Sequence, residues 1–343
     1  MSISTAAPRL SFLDRSRTRE GHDPGEALRD TVRLAQEVER LGYHRFWVSE
    51  HHSVPGVAGS APTVLAAAVA GATSTLRVGT GGVMLPNHLP FVVAEQFGVL
   101  ASLFPGRIDM GLGRSVGFTD GVRRALGRGK EAADDFGALL AELLGWLDGT
   151  RSDHPGVHAY PAEGAAVPAF VLAVNEGASI AAAAGLPLVV GDLRGRERLL
   201  RTVETYRDGF RPSARAARPY VIVSGTVAVA RTEEAAHRLL VPEAWAMARA
   251  RTTGAFPPLR PAGRIEPAAM SPKERRLYEE GLAGHLYGTP DRVADELGRV
   301  IGETGADEVL VTTSTYDREA LRESLRLLAG AVGQAPVGAG PDR

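Results

Sequence analysis

Short apolar, β-branched runs alternate with helix-period segments eight times along this chain, and that alternation restricts its fold more than any single motif does. The runs lie at residues 9–14, 45–50, 77–85, 107–113, 169–174, 187–191, 219–230 and 308–313. A helical segment follows each one. After the first run, Asp23 is placed as an N-cap, Pro24 at the first helical position and Glu26 at the capping-box position; Gly42 ends that helix. Residues 62–74 and 90–104 supply the second and third helices. The clearest helix carries Phe136, Leu139, Leu140, Leu143, Leu144 and Leu147 on one face. Eight strand–helix units in one chain favour a (β/α)8 TIM barrel over a doubly wound sheet. At 343 residues the chain has the size of a barrel folded as one domain, spanning 1–343.

One segment breaks the rhythm. Residues 252–281, and the approach to the last unit at about 289, are rich in Pro, Gly and charge. An insertion after the seventh strand falls at the end of a barrel where active sites sit. Two readings stand there, a lid over the site and a disordered surface loop.

Composition removes several classes of function. The chain has no cysteine, which excludes disulfides, thiolate nucleophiles and zinc–thiolate sites. With 39 basic and 40 acidic residues and no basic block, neither nucleic acid nor an anionic membrane surface is an expected partner. The first residues lack an apolar core of signal-peptide length, and no uninterrupted apolar stretch reaches membrane-spanning length, so a cytoplasmic location is expected.

The candidate chemistry gathers at the strand ends. Glu50, His51 and His52 close the second strand, and three roles fit them: metal ligands, acid–base groups, or a polar plug satisfied by backbone partners. The metal role lacks an HxH or HExxH spacing. Adjacent histidines on a continuing strand would also point to opposite faces, so no metal site is expected. Gly81 and Gly82 interrupt the third strand, the mark of a bulge, of close strand packing, or of a ligand lying on bare backbone. GLGRSVG (111–117) lacks the spacing of a dinucleotide fingerprint but brings Arg114 and Ser115 to the barrel mouth, where a guanidinium suits phosphate. Across from it VNEGAS (174–179) opens a helix whose N-terminal amides favour an anion, bringing Asn175, Glu176 and Gly177 to the site.

Taken together, YHRFWVSEHH, RVGTGGVMLPNHLP and PGRIDMGLGRS resemble the signatures of the bacterial-luciferase-like flavin-dependent monooxygenases. The similarity runs from LSFLD to LRLLAG and includes YGTPDRVADEL near the end. The resemblance implies a barrel that binds reduced FMN, which reacts with O2 to give a C4a-peroxyflavin that oxygenates a small organic substrate. It gives His51 the place of the active-site histidine and Gly81–Gly82 that of a non-proline cis peptide beneath the isoalloxazine. Arg114 takes the place of the phosphate-binding arginine, and Asp120 that of a following acidic residue with a catalytic role. Glu50, Ser115, Asn175, Glu176 and Gly177 border the flavin, although Gly177 stands where relatives carry a hydroxyl residue. No pyridine-nucleotide fold is evident, so a separate flavin reductase is expected to supply FMNH2. A homodimer through the second and third helices is implied as well, with Ala66, Ala67, Ala70, Val92, Val93 and Phe97 on the pairing face. A coenzyme F420-dependent oxidoreductase and a non-catalytic flavin-binding barrel are the alternatives. Tailoring of natural products such as aromatic polyketides is the role suggested by analogy.

Overall fold

A computed structural model describes residues 8–151, 153–173, 176–191, 193 and 195–335. Along the chain come β1 (Arg9–Asp14), α1 (Pro24–Arg40), β2 (Arg45–Val48), α2 (Pro62–Ala72), β3 (Arg77–Thr80), β4 (Val83–Met84), α3 (Pro90–Leu103), β5 (Ile108–Gly113), α4 (Asp120–Ala125) and α5 (Phe136–Leu147). There follow β6 (Ala169–Leu172), α6 (Glu176–Ala183), β7 (Leu188–Gly191), α7 (Arg196–Gly209), β8 (Val221–Val229), α8 (Glu233–Thr253), α9 (Pro272–Leu282), β9 (Leu286–Gly288), α10 (Pro290–Thr304), β10 (Glu308–Thr312) and α11 (Arg318–Ala331). The strands pair in parallel in the order β10-β1-β2-β3-β5-β6-β7-β8, and β8 pairs back to β10. The sheet therefore closes into the expected eight-stranded barrel. The third strand is one run in sequence but two in space, because β3 and β4 are separated by Gly81–Gly82 and both pair with β5. Among the described residues no helix is long and apolar enough to cross a membrane.

Alternation along the strands sorts side chains into two cores. Phe46 and Val48 of β2 face outward into the large layer shared with the helices. Trp47, between them, faces the barrel interior with Phe170, Val189, Ile222 and Leu310. One turn of α1 differs from its sequence signals. Asp23 sits at the cap without a side-chain capping bond, because its carboxylate pairs with Arg29, and Glu26 is drawn instead to Arg19 and His22.

Towards the N-terminal ends of the strands the barrel interior is ionic. Arg45 places Nε 3.0 Å from Glu308 Oε1 and Nη1 2.7 Å from Asp109 Oδ2. Trp47 Nε1 and Arg77 Nε also donate to Asp109, at 3.2 and 3.1 Å, and Tyr220 donates to Glu308 at 2.8 Å. Asp109 and Glu308 are 0% and 1% exposed, so their charges stand only because each has several donors.

The segment expected to be either a lid or a disordered loop has a structure of its own. α8 runs through Thr253, with Pro242 inside it, and Gly254 ends it at φ +74°. The chain then lies beside the loops after β1 and β2: Leu259 N donates to Thr18 O at 2.9 Å, and Gly56 N donates to Phe256 O at 2.7 Å. Next comes α9, capped by Ser271, and the three-residue β9 then extends β8. A disordered loop is thereby ruled out over these residues. The expected pairing face is also redrawn. Ala66, Ala70, Val93 and Phe97 are buried in the core of this one chain, whereas Val64, Val92, Val99 and Leu103 remain exposed on α2 and α3.

The ionic interior leads to a direct expectation. Asp109→Ala leaves the buried Arg45 without one of its two counter-charges and should cost about 3–5 kcal/mol of stability. Urea unfolding checks it; an unchanged midpoint and slope would show that the network contributes nothing net.

Candidate active site

At the C-terminal ends of the strands a cavity of about 570 Å³ opens between the barrel and α8. Its floor is the break in the third strand. Gly79 is the last residue of β3 in register with β5, opposite Asp109, and the ladder resumes at Val83 opposite Leu112. Across the gap the Thr80 hydroxyl donates to Gly111 O at 2.7 Å and accepts from Gly111 N at 3.1 Å, satisfying backbone groups that the break would strand. The Gly81–Gly82 peptide is cis, as expected. A Cβ on Gly81 would lie 2.6 Å from Leu13 Cδ1, and one on Gly82 would lie 2.8 Å from Gly111 O. The packing and ligand readings of this pair are therefore compatible: packing excludes side chains here, and their absence leaves bare backbone on the cavity wall.

β2 stops at Val48, so Glu50, His51 and His52 are not on a strand, and all three line the cavity. The expectation that the two histidines point apart fails for that reason. Glu50 is the hub. Its Oε1 accepts from His52 Nε2 at 2.7 Å and from His88 Nε2 at 2.9 Å, and its Oε2 accepts from Met84 N at 2.9 Å. Burial works against the charged carboxylate, but His88, Met84 N–H and His52 outweigh it and hold Glu50 below the usual carboxylate range. Glu50, His52 and His88 bring three ligand atoms within 4.8 Å of one another, close enough to share one ion. Spacing within residues 50–52 speaks against a metal and does not reach His88; in the structure both imidazoles are hydrogen-bonded to Glu50 Oε1.

His51 is held differently. Its backbone N–H donates to Gly59 O at 2.9 Å, and its Nδ1 lies 3.1 Å from Ser49 Oγ. Burial, followed by the positive charges of Arg15 and Arg17, lowers its pKa to about 4. Both arginines belong to the loop after β1 and flank Glu243 of α8, at 3.0 and 2.9 Å. Sequence patterning gave no sign of this group, since Glu243 follows Pro242 in a helix of unremarkable amphipathicity. The outcome is a neutral imidazole at physiological pH, able to accept or donate one proton at a wall of the cavity.

The remaining candidates are spread more widely. Ser115 lines the cavity with Val116, Gly117 and Phe118. Arg114 lies beside it, about one-third exposed, and donates from Nη1 to Glu176 Oε2 at 3.0 Å. Glu176 is the exposed first residue of α6, and Gly177 follows it, buried. A serine at 177 would bring its Cβ to 2.4 Å from Ala173 Cβ, a local reason for glycine in place of the expected hydroxyl residue. Asn175 lies outside the described residues. Asp120 starts α4, exposed and ion-paired with Arg123, and is not part of the cavity wall.

Comparison with known proteins agrees with this arrangement. Residues 9–308 match the family model for luciferase-like monooxygenases. A luciferase-like monooxygenase of Escherichia coli K12 is 36% identical over 93% of this chain and 95% of its own. Over a shorter stretch, 45% of this chain and 46% of the relative, the N-acetyl-S-alkylcysteine monooxygenase of Bacillus subtilis is 43% identical. The crystal structure of apo-MsnO8 superposes with a TM-score of 0.83, 31% identity and coverage of 96% of this chain and 98% of that one. Two more distant structures share the fold alone. The oxygenating constituent of 3,6-diketocamphane monooxygenase from Pseudomonas putida, in complex with FMN, gives a TM-score of 0.71 at 19% identity, covering 95% and 98%. An F420-dependent secondary alcohol dehydrogenase gives 0.68 at 16%, covering 95% and 99%. With the barrel, the interrupted third strand and the family match over most of its length, this chain belongs to the luciferase-like monooxygenases.

Proposed function

We propose that this protein is a two-component monooxygenase that takes reduced FMN from a separate flavin reductase and, with O2, oxygenates a small organic substrate. The observation that carries the reading is the bare-backbone wall at Gly81–Gly82 facing the same cavity as neutral His51. At about 570 Å³ the cavity falls within the ordinary range for cofactor and ligand sites, roughly 300–1,000 Å³. A flat ring fits against backbone that carries no side chains. When bound, reduced FMN supplies the electrons that activate O2.

The chain's own residues do the rest. Arg114 and the start of α6 would receive the phosphate. Glu176 already takes the Arg114 Nη1 donor, so the phosphate would compete with a carboxylate there, which would keep flavin affinity modest. His51 moves or holds a proton at its ring. Glu50, clamped by two imidazoles and a backbone amide, fixes the loop that carries His51. Phe256 of the ordered segment after α8 lines the cavity, and closure of residues 252–289 over bound flavin would exclude water. Reduced F420 on the same barrel, acting as a hydride donor without O2, is the alternative; membership of a monooxygenase family favours FMN.

Pairing into a homodimer is part of the proposal. Val92, Val99 and Leu103 form one exposed apolar stripe on α3, beside Val64 on α2, and a second copy would cover it. Light scattering at micromolar concentration should give twice the chain mass, and Val99→Lys with Leu103→Lys should give the chain mass. A wild-type monomer removes the pairing.

Three variants separate binding from chemistry. Arg114→Ala should weaken reduced-FMN binding about tenfold, discounted for its partial exposure, and excess flavin should restore turnover. Glu176→Ala removes the competing carboxylate and should tighten binding severalfold. His51→Ala should keep flavin binding and lose about 10²–10⁴-fold in rate at saturating flavin. Turnover of His51→Ala at the wild-type rate would reduce it to a structural plug.

The titration of His51 gives a sign. Because its folded-state pKa is lowered to about 4, the ring stays neutral throughout pH 5–8, so activity should show no His51 limb there and should fall only as pH drops towards 4. Histidine NMR across pH 3.5–8 reads this directly, and protonation of His51 near its ordinary value of 6.5 contradicts it.

A further inference from the structure

A second cavity, of about 300 Å³, adjoins the first, and the two share Arg15, Met247 and Arg251 as a common wall. Nearly every charged group in this region is matched. Arg15 and Glu243 pair with each other, Glu50 has its two histidines, and Glu280 lies 3.7 Å from Arg276. Arg251 is different: it lines both cavities, is exposed, and among the described residues has no hydrogen-bond or ion-pair partner. A basic residue in the last turn of α8 suits the helix dipole, and its solvated guanidinium is left open to a further anionic partner from either cavity. The rest of the smaller cavity offers the apolar side chains Leu240, Ala244 and Leu277, the polar Thr226, His285 and Ser314, and two carboxylates, Glu243, which is paired with Arg15 and Arg17, and Glu280, which lies 3.7 Å from Arg276.

Resting on the flavin reading above, we propose that the smaller cavity is the substrate subsite and that it takes an organic anion. A carboxylate would be held by Arg251 while an apolar body packs on Leu240, Ala244 and Leu277, next to the flavin cavity. Guanidinium binds carboxylate in a forked geometry that a neutral amide cannot reproduce with the same charge assistance. An anion facing Arg251 has two sources, the substrate or the phosphate of the cofactor, and the proposal commits to the substrate.

The test uses matched probes: hexanoate, 4-phenylbutyrate and 3-phenylpropionate, each against its primary amide. Affinities are read by anaerobic calorimetry, with and without photoreduced FMN, on wild type, Arg251→Lys and Arg251→Gln. At least one carboxylate should bind wild type about tenfold more tightly than its amide, and the preference should shrink in Arg251→Lys and vanish in Arg251→Gln. FMN affinity should be the same in wild type and Arg251→Gln. No carboxylate preference in any pair, or one that survives Arg251→Gln, overturns the proposal. Loss of the preference for FMN over riboflavin in Arg251→Gln also overturns it, by assigning the residue to the cofactor phosphate. Failure of wild type to bind reduced FMN would defeat the flavin reading instead, and carboxylate discrimination would still be read in the flavin-free protein.

Discussion

The third strand can approach its neighbours only because four positions have no side chain. A Cβ on Gly79 would lie 2.4 Å from Asp109 O, and one on Gly111 would lie 2.0 Å from Thr80 O. Gly81 and Gly82 are closed off by Leu13, Trp47 and the Gly111 backbone. Real Cβ atoms do not tolerate such distances, and at Gly79, Gly82 and Gly111 the nearest obstructing atom is backbone, so relief there would require the strands to move apart. The same omission that lets the barrel close therefore prepares the wall of the cavity. Fold and site depend here on one steric constraint.

Two charge systems hold the barrel from opposite ends. Below, Asp109 and Glu308 neutralise Arg45 and, with Trp47, tie the floor beneath the glycines to β2 and β10. Above, Arg15, Arg17 and Glu243 tie the loop after β1 to α8. The upper system has a chemical consequence that the lower one lacks. Its two arginines lie close enough to His51 to add to the effect of burial and keep the imidazole neutral. Removing charge from that loop would thus reach the active-site proton without touching the ring.

Much of this was legible in the sequence because it rests on local rules. β-branched runs between amphipathic helices give the barrel, and a glycine pair inside a strand breaks propensity strongly enough to signal its own break. What stayed hidden rests on contacts between residues far apart in the chain. His88 reaches Glu50 across 38 positions, so spacing within Glu50-His51-His52 could not reveal the hub. Glu243 acquires its meaning only when α8 folds over the loop after β1. β9 is three residues of LYG, with no pattern of its own, held by pairing to the end of β8. Asp120, a position carried over by resemblance, lies on an exposed helix start, where Arg123 is its partner.

The central claim is that reduced FMN sits against Gly81–Gly82 and meets O2 there. Its most direct measurement is anaerobic equilibration of the protein with photoreduced FMN, followed by rapid mixing with O2 while flavin absorbance is recorded; reduced F420 is run in parallel. The account predicts saturable binding of reduced FMN, with reoxidation kinetics distinct from those of free flavin at saturating protein. Reoxidation identical to that of free FMN at every protein concentration, or saturable binding of reduced F420 and none of FMN, would contradict it.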